Sequence, residues 1–140
     1  MKIKSIYYVI LFGIGFFGYG LLEVIWRGRT HPSMSLAGGI AFCVFSIIAE
    51  KLKPLNFVYR CIAGGIFITF LELIFGIIFN IWLKTDVWDY SMFRFNYLGQ
   101  ICITYSVLWC LISAPVIIAL GLIKDKIYTD YKFLVEKERF

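Results

Sequence analysis

The chain reads as an all-α polytopic membrane protein, a four-transmembrane-helix bundle. Three observations point there. Of its 140 residues, 61% are hydrophobic and 16% charged, against about 45–50% and about 25% in soluble domains. A core of one domain's size cannot bury that much apolar surface, whereas about 30 Å of bilayer hydrocarbon accepts helices of about 20 residues. The charged residues are also gathered into short clusters between long uncharged runs. A soluble enzyme and a disordered chain are therefore excluded.

The first run, Ser5 to Leu22, continues past Glu23 to Trp26. Lys2 and Lys4 precede it as in a signal peptide, but no A-x-A-like cleavage site follows, so it is read as a retained helix. The second run, Met34 to Ala49, is short, about 24 Å at 1.5 Å per residue, and must borrow flanking residues to span, unless it is re-entrant. Cys61 to Leu83 forms the third, interrupted by Glu72, and Phe95 to Ile123 the fourth. Pro115 is expected to kink the fourth helix by freeing the carbonyl of Leu111. Residues 1–123 then form the transmembrane four-helix domain and 124–140 a charged cytoplasmic tail, which can extend helix 4.

Orientation follows from Lys and Arg. With the N-terminus inside, ten lie on the cytoplasmic side (Lys2, Lys4, Lys51, Lys53, Arg60, Lys124, Lys126, Lys132, Lys137, Arg139) and four outside (Arg27, Arg29, Lys84, Arg94). That bias places both termini in the cytoplasm, with the plasma membrane as the expected location. The net charge of +5 is explained by topology, and no nucleic-acid partner is expected. Cys43, Cys61, Cys102 and Cys110 lie singly in apolar runs and read as small packing residues. With His31 the only histidine, no metal site and no cofactor are expected.

A tandem two-helix repeat is a further reading. Leu22-Glu23-Val24-Ile25 matches Leu71-Glu72-Leu73-Ile74, and each is followed by an outside Ser-Met (Ser33-Met34, Ser91-Met92) and then by glycine, Gly38-Gly39 and Gly99. Small and polar residues recur at steps of three and four: Gly13, Phe16, Gly20, Glu23 and Arg27 on helix 1; Gly39, Cys43, Ser46 and Glu50 on helix 2. Helix 3 carries Gly65, Thr69, Glu72, Gly76 and Asn80, and helix 4 carries Gly99, Cys102, Ser106, Cys110 and Ser113. Such stripes mark faces turned to other helices, because lipid supplies no hydrophobic drive for helix association.

Glu72 is the sharpest chemical signal. Eleven uncharged residues flank it on each side, and an ionisable group at that depth costs about 2.5–3.5 kcal/mol on insertion scales. It should face the other helices. Glu23 lies nearer the outer surface, with Arg27 at i+4 as its ion-pair partner. The outside loop Lys84 to Asn96 is dense in aromatic and polar residues. An interfacial aromatic belt accounts for Trp82, Trp88 and Tyr97, but less well for Asp89 and Asn96. Asp89 is expected to fold back over Glu72 or to pair with Arg27 or Arg94. The candidate polar or substrate-binding site is Glu23, Arg27, Glu72, Asn80, Trp88, Asp89, Tyr90, Ser91 and Asn96, with no residue assigned to catalysis.

Trp88-Asp89-Tyr90-Ser91, followed by Phe95-Asn96, Gly99 and Ile101-Cys102 after a Glu-bearing helix, resembles the ABC-transporter type IV (CmpB-like) family over most of the chain. The resemblance implies a polytopic membrane protein with Glu72, Trp88, Asp89, Tyr90, Ser91 and Asn96 as signature positions. No G-x-x-x-x-G-K-[ST] occurs in the sequence, so nucleotide hydrolysis would fall to a separate ATPase subunit. The leading expectation is a small oligomeric permease-like protein in the lipid bilayer, with its polar site in the outer half. The alternatives are a membrane-embedded enzyme acting on lipid or lipid-linked substrate, with Glu72 or Asp89 as general acid or base, and a structural or regulatory membrane subunit.

The basic-residue bias is open to a direct test. Single cysteines introduced at Thr30 and Thr85 should react with an impermeant thiol reagent on intact cells, while those at Lys53 and Thr129 should be protected. The reverse pattern would invert the topology.

Overall fold

The computed structural model describes residues 2–137, with side-chain surroundings for residues 4–130. The side chains of Lys2, Lys132, Glu136 and Lys137, and all of Glu138 and Arg139, lie outside the described residues. Four helices dominate: α1 (Lys2–Arg27), α2 (Pro32–Lys51), α3 (Phe57–Phe75) and α4 (Ile103–Lys137). From Gly76 to Trp82 the third helix continues as a π-helix. All four are long and apolar enough to cross a membrane, counting Phe57–Trp82 as one span. The chain is an integral membrane protein.

Local chemistry sets the helix ends. His31, in extended conformation, caps α2 by accepting the Ser33 N–H on Nδ1 at 3.2 Å, and Pro32 follows at the first helical position, where its missing N–H costs nothing. The helix thus begins two residues before Met34, at Pro32, and ends two residues beyond Ala49, at Lys51. That is how the short second run reaches spanning length. Asn56 caps α3, accepting the Val58 N–H at 3.1 Å.

The fourth span differs from the uncharged run. Phe95–Cys102 does not enter the helix: Asn96–Tyr97 (β1) and Ile101–Cys102 (β2) pair antiparallel, and α4 begins only at Ile103. Leu98 and Gly99 both take positive φ at the turn, 55° and 68°, a conformation glycine adopts without the steric penalty of a side chain. Gly99 therefore belongs to the hairpin and not to the helix 4 stripe. At its other end α4 runs unbroken through Pro115 into the charged segment.

The helices pack as two hairpins. α1 lies along α2, α3 along α4, and α2 bridges by touching both α3 and α4. The pairs approach closely where glycine removes the side chain. Gly15 of α1 meets the Gly38 backbone of α2, Gly39 lies under the Phe12 ring, and Gly65 of α3 packs on Cys110 of α4. On α1 the contact glycines are Gly15 and Gly20, whereas Gly13 has open space around it.

Polar residues on the stripes pair between helices. Tyr7 and Ser46 share a hydrogen bond of 2.8 Å across α1 and α2, and Thr69 donates to Ser106 at 2.8 Å across α3 and α4. Each such bond within a membrane contributes about 0.6 kcal/mol on average. One apolar cluster, including Leu11, Phe45, Ile68 and Ile117, fills the end of the molecule that carries the chain termini. A second, of Met34, Leu71, Phe75, Val87 and Trp88, fills the opposite end, and two of its five members come from the segment between α3 and α4.

A Cβ at Gly65 would stand 2.9 Å from the Cys110 nitrogen and 3.0 Å from its Cα, so backbone has to move. Gly65→Ala should destabilise the protein by about 1–3 kcal/mol, the usual cost of overpacking. Gly13→Ala should leave the detergent-solubilised protein as stable as wild type or slightly more so. Thermal unfolding of the two variants side by side checks the packing, and equal Tm values would contradict it.

Candidate functional site

The segment between α3 and α4 is folded down onto the helix ends as a cap, and Asn80 is the main fastening. Its Nδ2 donates to the Trp88 carbonyl at 3.0 Å and to Gln100 Oε1 at 2.8 Å, while its Oδ1 accepts the Val87 N–H at 2.7 Å. Trp88 closes the ring by donating its indole N–H to the Gln100 carbonyl at 2.9 Å. Arg27, at the end of α1, donates to the Val87 carbonyl and ion-pairs with Glu23 at 3.3 Å. Asn80 lies in the π-helical stretch, whose i→i+5 ladder turns its residues away from the positions an α-helix would give them. Gly76 opens that stretch against Gln100, with no room for a Cβ: Gln100 Oε1 would be 2.5 Å away.

Beneath the cap lies the carboxyl layer. Tyr90 reaches down from the cap and donates its hydroxyl to Glu72 Oε1 at 2.9 Å. Its ring stacks on Tyr105 of α4, with centroids 4.5 Å apart and planes at 14°. The Trp109 indole and Glu23 are the other polar neighbours of Glu72. Tyr19 donates to Glu23 at 3.4 Å, and its ring lies 6.4 Å from that of Trp109. Both carboxyl residues are buried, Glu72 at 7% exposure and Glu23 at 9%. Glu72 Oε2 is buried without a hydrogen-bond partner, as is the Trp109 indole nitrogen. The cap hydroxyl is itself shielded: burial, and then the neighbouring Glu72, push the Tyr90 phenol above its ordinary range.

The outer residues of the cap serve its own shape. Asp89 is exposed, with Oδ1 accepting the Ser91 N–H and Oδ2 the Ser91 hydroxyl, each at 2.8 Å. Those two donors hold its carboxyl below the usual carboxylate range. Asn96 donates to the Phe93 carbonyl at 2.6 Å and accepts the Gly99 N–H at 3.0 Å, and Gly99 in turn accepts the Tyr90 N–H at 2.7 Å.

The structure brings Glu23, Arg27, Glu72, Asn80, Trp88 and Tyr90 together. It leaves Asp89, Ser91 and Asn96 on the outside as supports of the loop. Asp89 does not lie over Glu72 and pairs with neither Arg27 nor Arg94, because Ser91 supplies both of its donors locally. Trp88 is not an interfacial belt residue, being 8% exposed, whereas Trp26 and Trp82 face outward. Tyr19, Gln100, Tyr105 and Trp109 escaped the sequence reading. Tyr19 stands four residues before Glu23 and so shares its face. Trp109 and Tyr105 stand beside the small-residue stripe of helix 4, and Gln100 was hidden inside a run that looked helical.

Four apolar spans define a polytopic integral membrane protein, and a capped layer of two buried carboxyl groups lies near one end of its helices. By its sequence the chain belongs to the family described as "Putative ABC-transporter type IV", whose profile matches residues 6–135. No curated protein and no solved structure matches the chain.

The cap's attachment generates a prediction. Asn80→Ala strands a buried N–H and two acceptors, at about 1–3 kcal/mol for each unsatisfied group. Hydrogen exchange across residues 84–100 should accelerate, and proteases should cut there. Asp89→Asn keeps an acceptor for the Ser91 N–H and should leave exchange near the wild-type pattern. If the two variants exchange alike, Asn80 is not the fastening.

Proposed function

We propose that the chain is a permease-like membrane component whose Glu72–Glu23 layer holds a proton or a small cationic solute beneath the cap. The observation that carries this is the charge balance of the buried layer. Two carboxyl groups share one neighbouring cation among the described residues, Arg27, and Glu72 keeps one buried oxygen for which the adjacent Trp109 indole N–H falls short of hydrogen-bond geometry. Lipid offers no compensating group at that depth, so the layer takes up a positive charge when both carboxyls ionise. Tyr90, Tyr19 and Trp109 supply aromatic walls of the kind that favour cations.

This reading brings with it the rest of the expected assembly. Both termini would lie in the cytoplasm of a plasma-membrane protein, residues 124–140 would form a cytoplasmic tail that begins inside α4, and a homo-oligomer would work with a separate ATPase subunit. What supports these points is the family, the distribution of basic residues and the apolar outward faces, including Val9, Phe17 and Ile25 of α1 at 71–75% exposure. A membrane-embedded enzyme would instead need substrate to reach Glu72 laterally, and no observed feature favours that route.

Tryptophan emission gives a direct readout, because Trp109 adjoins Glu72. Protein in nanodiscs, titrated with methylammonium, with sodium and across pH, should show a saturable emission change that Trp109→Phe abolishes. Glu72→Gln should flatten the same titration with little loss of Tm, and Glu72→Ala should flatten it while lowering Tm. A full response in Glu72→Gln would remove Glu72 from the site and leave it a packing residue.

A further inference from the structure

The opposite end of the molecule carries a second, separate feature. A cleft of about 780 Å³ lies between the turn joining α2 to α3 and the distal part of α4. Its apolar wall includes Ile118 and Leu122, and its rim carries Lys53, Arg60 and Lys124 against Glu50 and Asp125. Two of the cations are already matched: Lys124 pairs with Glu50, and Lys53 with Asp125 at 3.7 Å. Arg60 is not. Its Nη2 donates to the Ala49 carbonyl at 3.1 Å, its guanidinium stands 5.8 Å from the centre of the Phe57 ring, and its Nε is buried without a partner. Among the described residues no carboxylate lies within ion-pair distance of it.

Three features of this cleft select its ligand. A guanidinium with a spare buried donor asks for an anion with several acceptor oxygens, and phosphate matches its fork geometry. The rim's residual positive charge favours a ligand with net negative charge. Ile118 and Leu122, exposed to the extent of 52% and 67%, continue the cleft along the lipid-facing side of α4, where an acyl chain can lie. Arg60 is the fourth residue of α3 and Ala49 lies close to the end of α2, which sets the cleft at the level of the helix ends and of lipid headgroups. Basic pockets between transmembrane helices at that depth are suited to anionic headgroups.

We infer that this cleft binds one acidic phospholipid, its phosphate on Arg60 and one acyl chain along Ile118 and Leu122. The lipid would fasten the α2–α3 turn to α4 and so steady the end of the molecule away from the capped site.

The test uses the full chain, delipidated in detergent, with phosphatidylglycerol, phosphatidylcholine and inorganic phosphate as probes. Native mass spectrometry and thermal unfolding are the readouts. Wild-type protein should retain one phosphatidylglycerol through collisional activation and gain Tm from it, with phosphatidylcholine weaker and inorganic phosphate without effect. Arg60→Gln should weaken retention about tenfold or more, the loss expected for a charge-assisted hydrogen bond, while Arg29→Gln at the other end should bind as wild type. Arg60 also holds the Ala49 carbonyl, so a blocking variant provides an independent arm. Gly121 lines the cleft and a Cβ there meets nothing within 4 Å, so Gly121→Leu should fill the space, keep the fold and lose the lipid. Equal retention of both lipids, or wild-type retention in Arg60→Gln or Gly121→Leu, overturns the proposal. A Tm gain from inorganic phosphate equal to that from lipid assigns the cleft to free phosphate and overturns it as well.

Discussion

A carboxyl group inside a membrane span must find its partners in protein, because hydrocarbon offers none. Glu72 imposes that constraint here, and much of the architecture near it is a response. Its nearest donor, Tyr90, is not on any of the four helices. The segment after α3 must therefore fold back onto the helix ends and stay there, or one of the buried oxygens loses its hydrogen bond. Asn80, Arg27 and Trp88 hold it in place, and the π-helical stretch with Gly76 makes the room. The cap is thus coupled to the carboxyl chemistry, since a change in the charge of Glu72 alters the bond that draws Tyr90 down.

Much of the fold was legible because membrane insertion is governed by composition over windows of about 20 residues, a signal that tolerates local error. Glu23 and Glu72 were legible for the converse reason: a charge is conspicuous against an apolar background. The start of the fourth helix was not, because Phe95–Cys102 is uncharged and merges with the apolar run that follows, while positive φ at Leu98 and Gly99 shapes it into a hairpin. Hydropathy does not register backbone conformation. Asp89 misled for a related reason. Its charge suggested a long-range partner, yet a serine two residues away satisfies it, and such short-range bonds of Asp compete effectively with tertiary ones.

The two ends of the molecule handle charge differently. At the capped end, carboxyl groups are buried with few cations, and Tyr90, Tyr19 and Trp109 stand beside them. At the other end Lys and Arg dominate, and the Lys53–Asp125 pair links α4 to the α2–α3 turn in the open, with both side chains more than two-thirds exposed, while Lys124 and Arg60 are partly buried. Exposed pairs of that kind contribute little to stability. The capped end therefore adds specific, desolvated hydrogen bonds to its apolar cluster, whereas the other rests on apolar packing of Phe45, Ile48 and Ile117 beneath a loosely paired rim.

The tetrapeptide Trp88-Asp89-Tyr90-Ser91 gathers these threads into one pattern. Between the π-helix and the hairpin the chain is not helical, and its burial alternates: Trp88 in, Asp89 out, Tyr90 partly in, Ser91 out. Alternation places two side chains on each side of this segment. The inward pair divides the work, with Trp88 joining the cap to Gln100 and Tyr90 joining it to Glu72. The outward pair bonds to itself and sets the turn that points the inward pair downward. A helix would spread four consecutive residues around its axis and could not make this division. The block works because a non-helical segment that enters the Tyr90–Phe93 turn, between a π-helix and a hairpin, lets adjacent residues serve opposite sides.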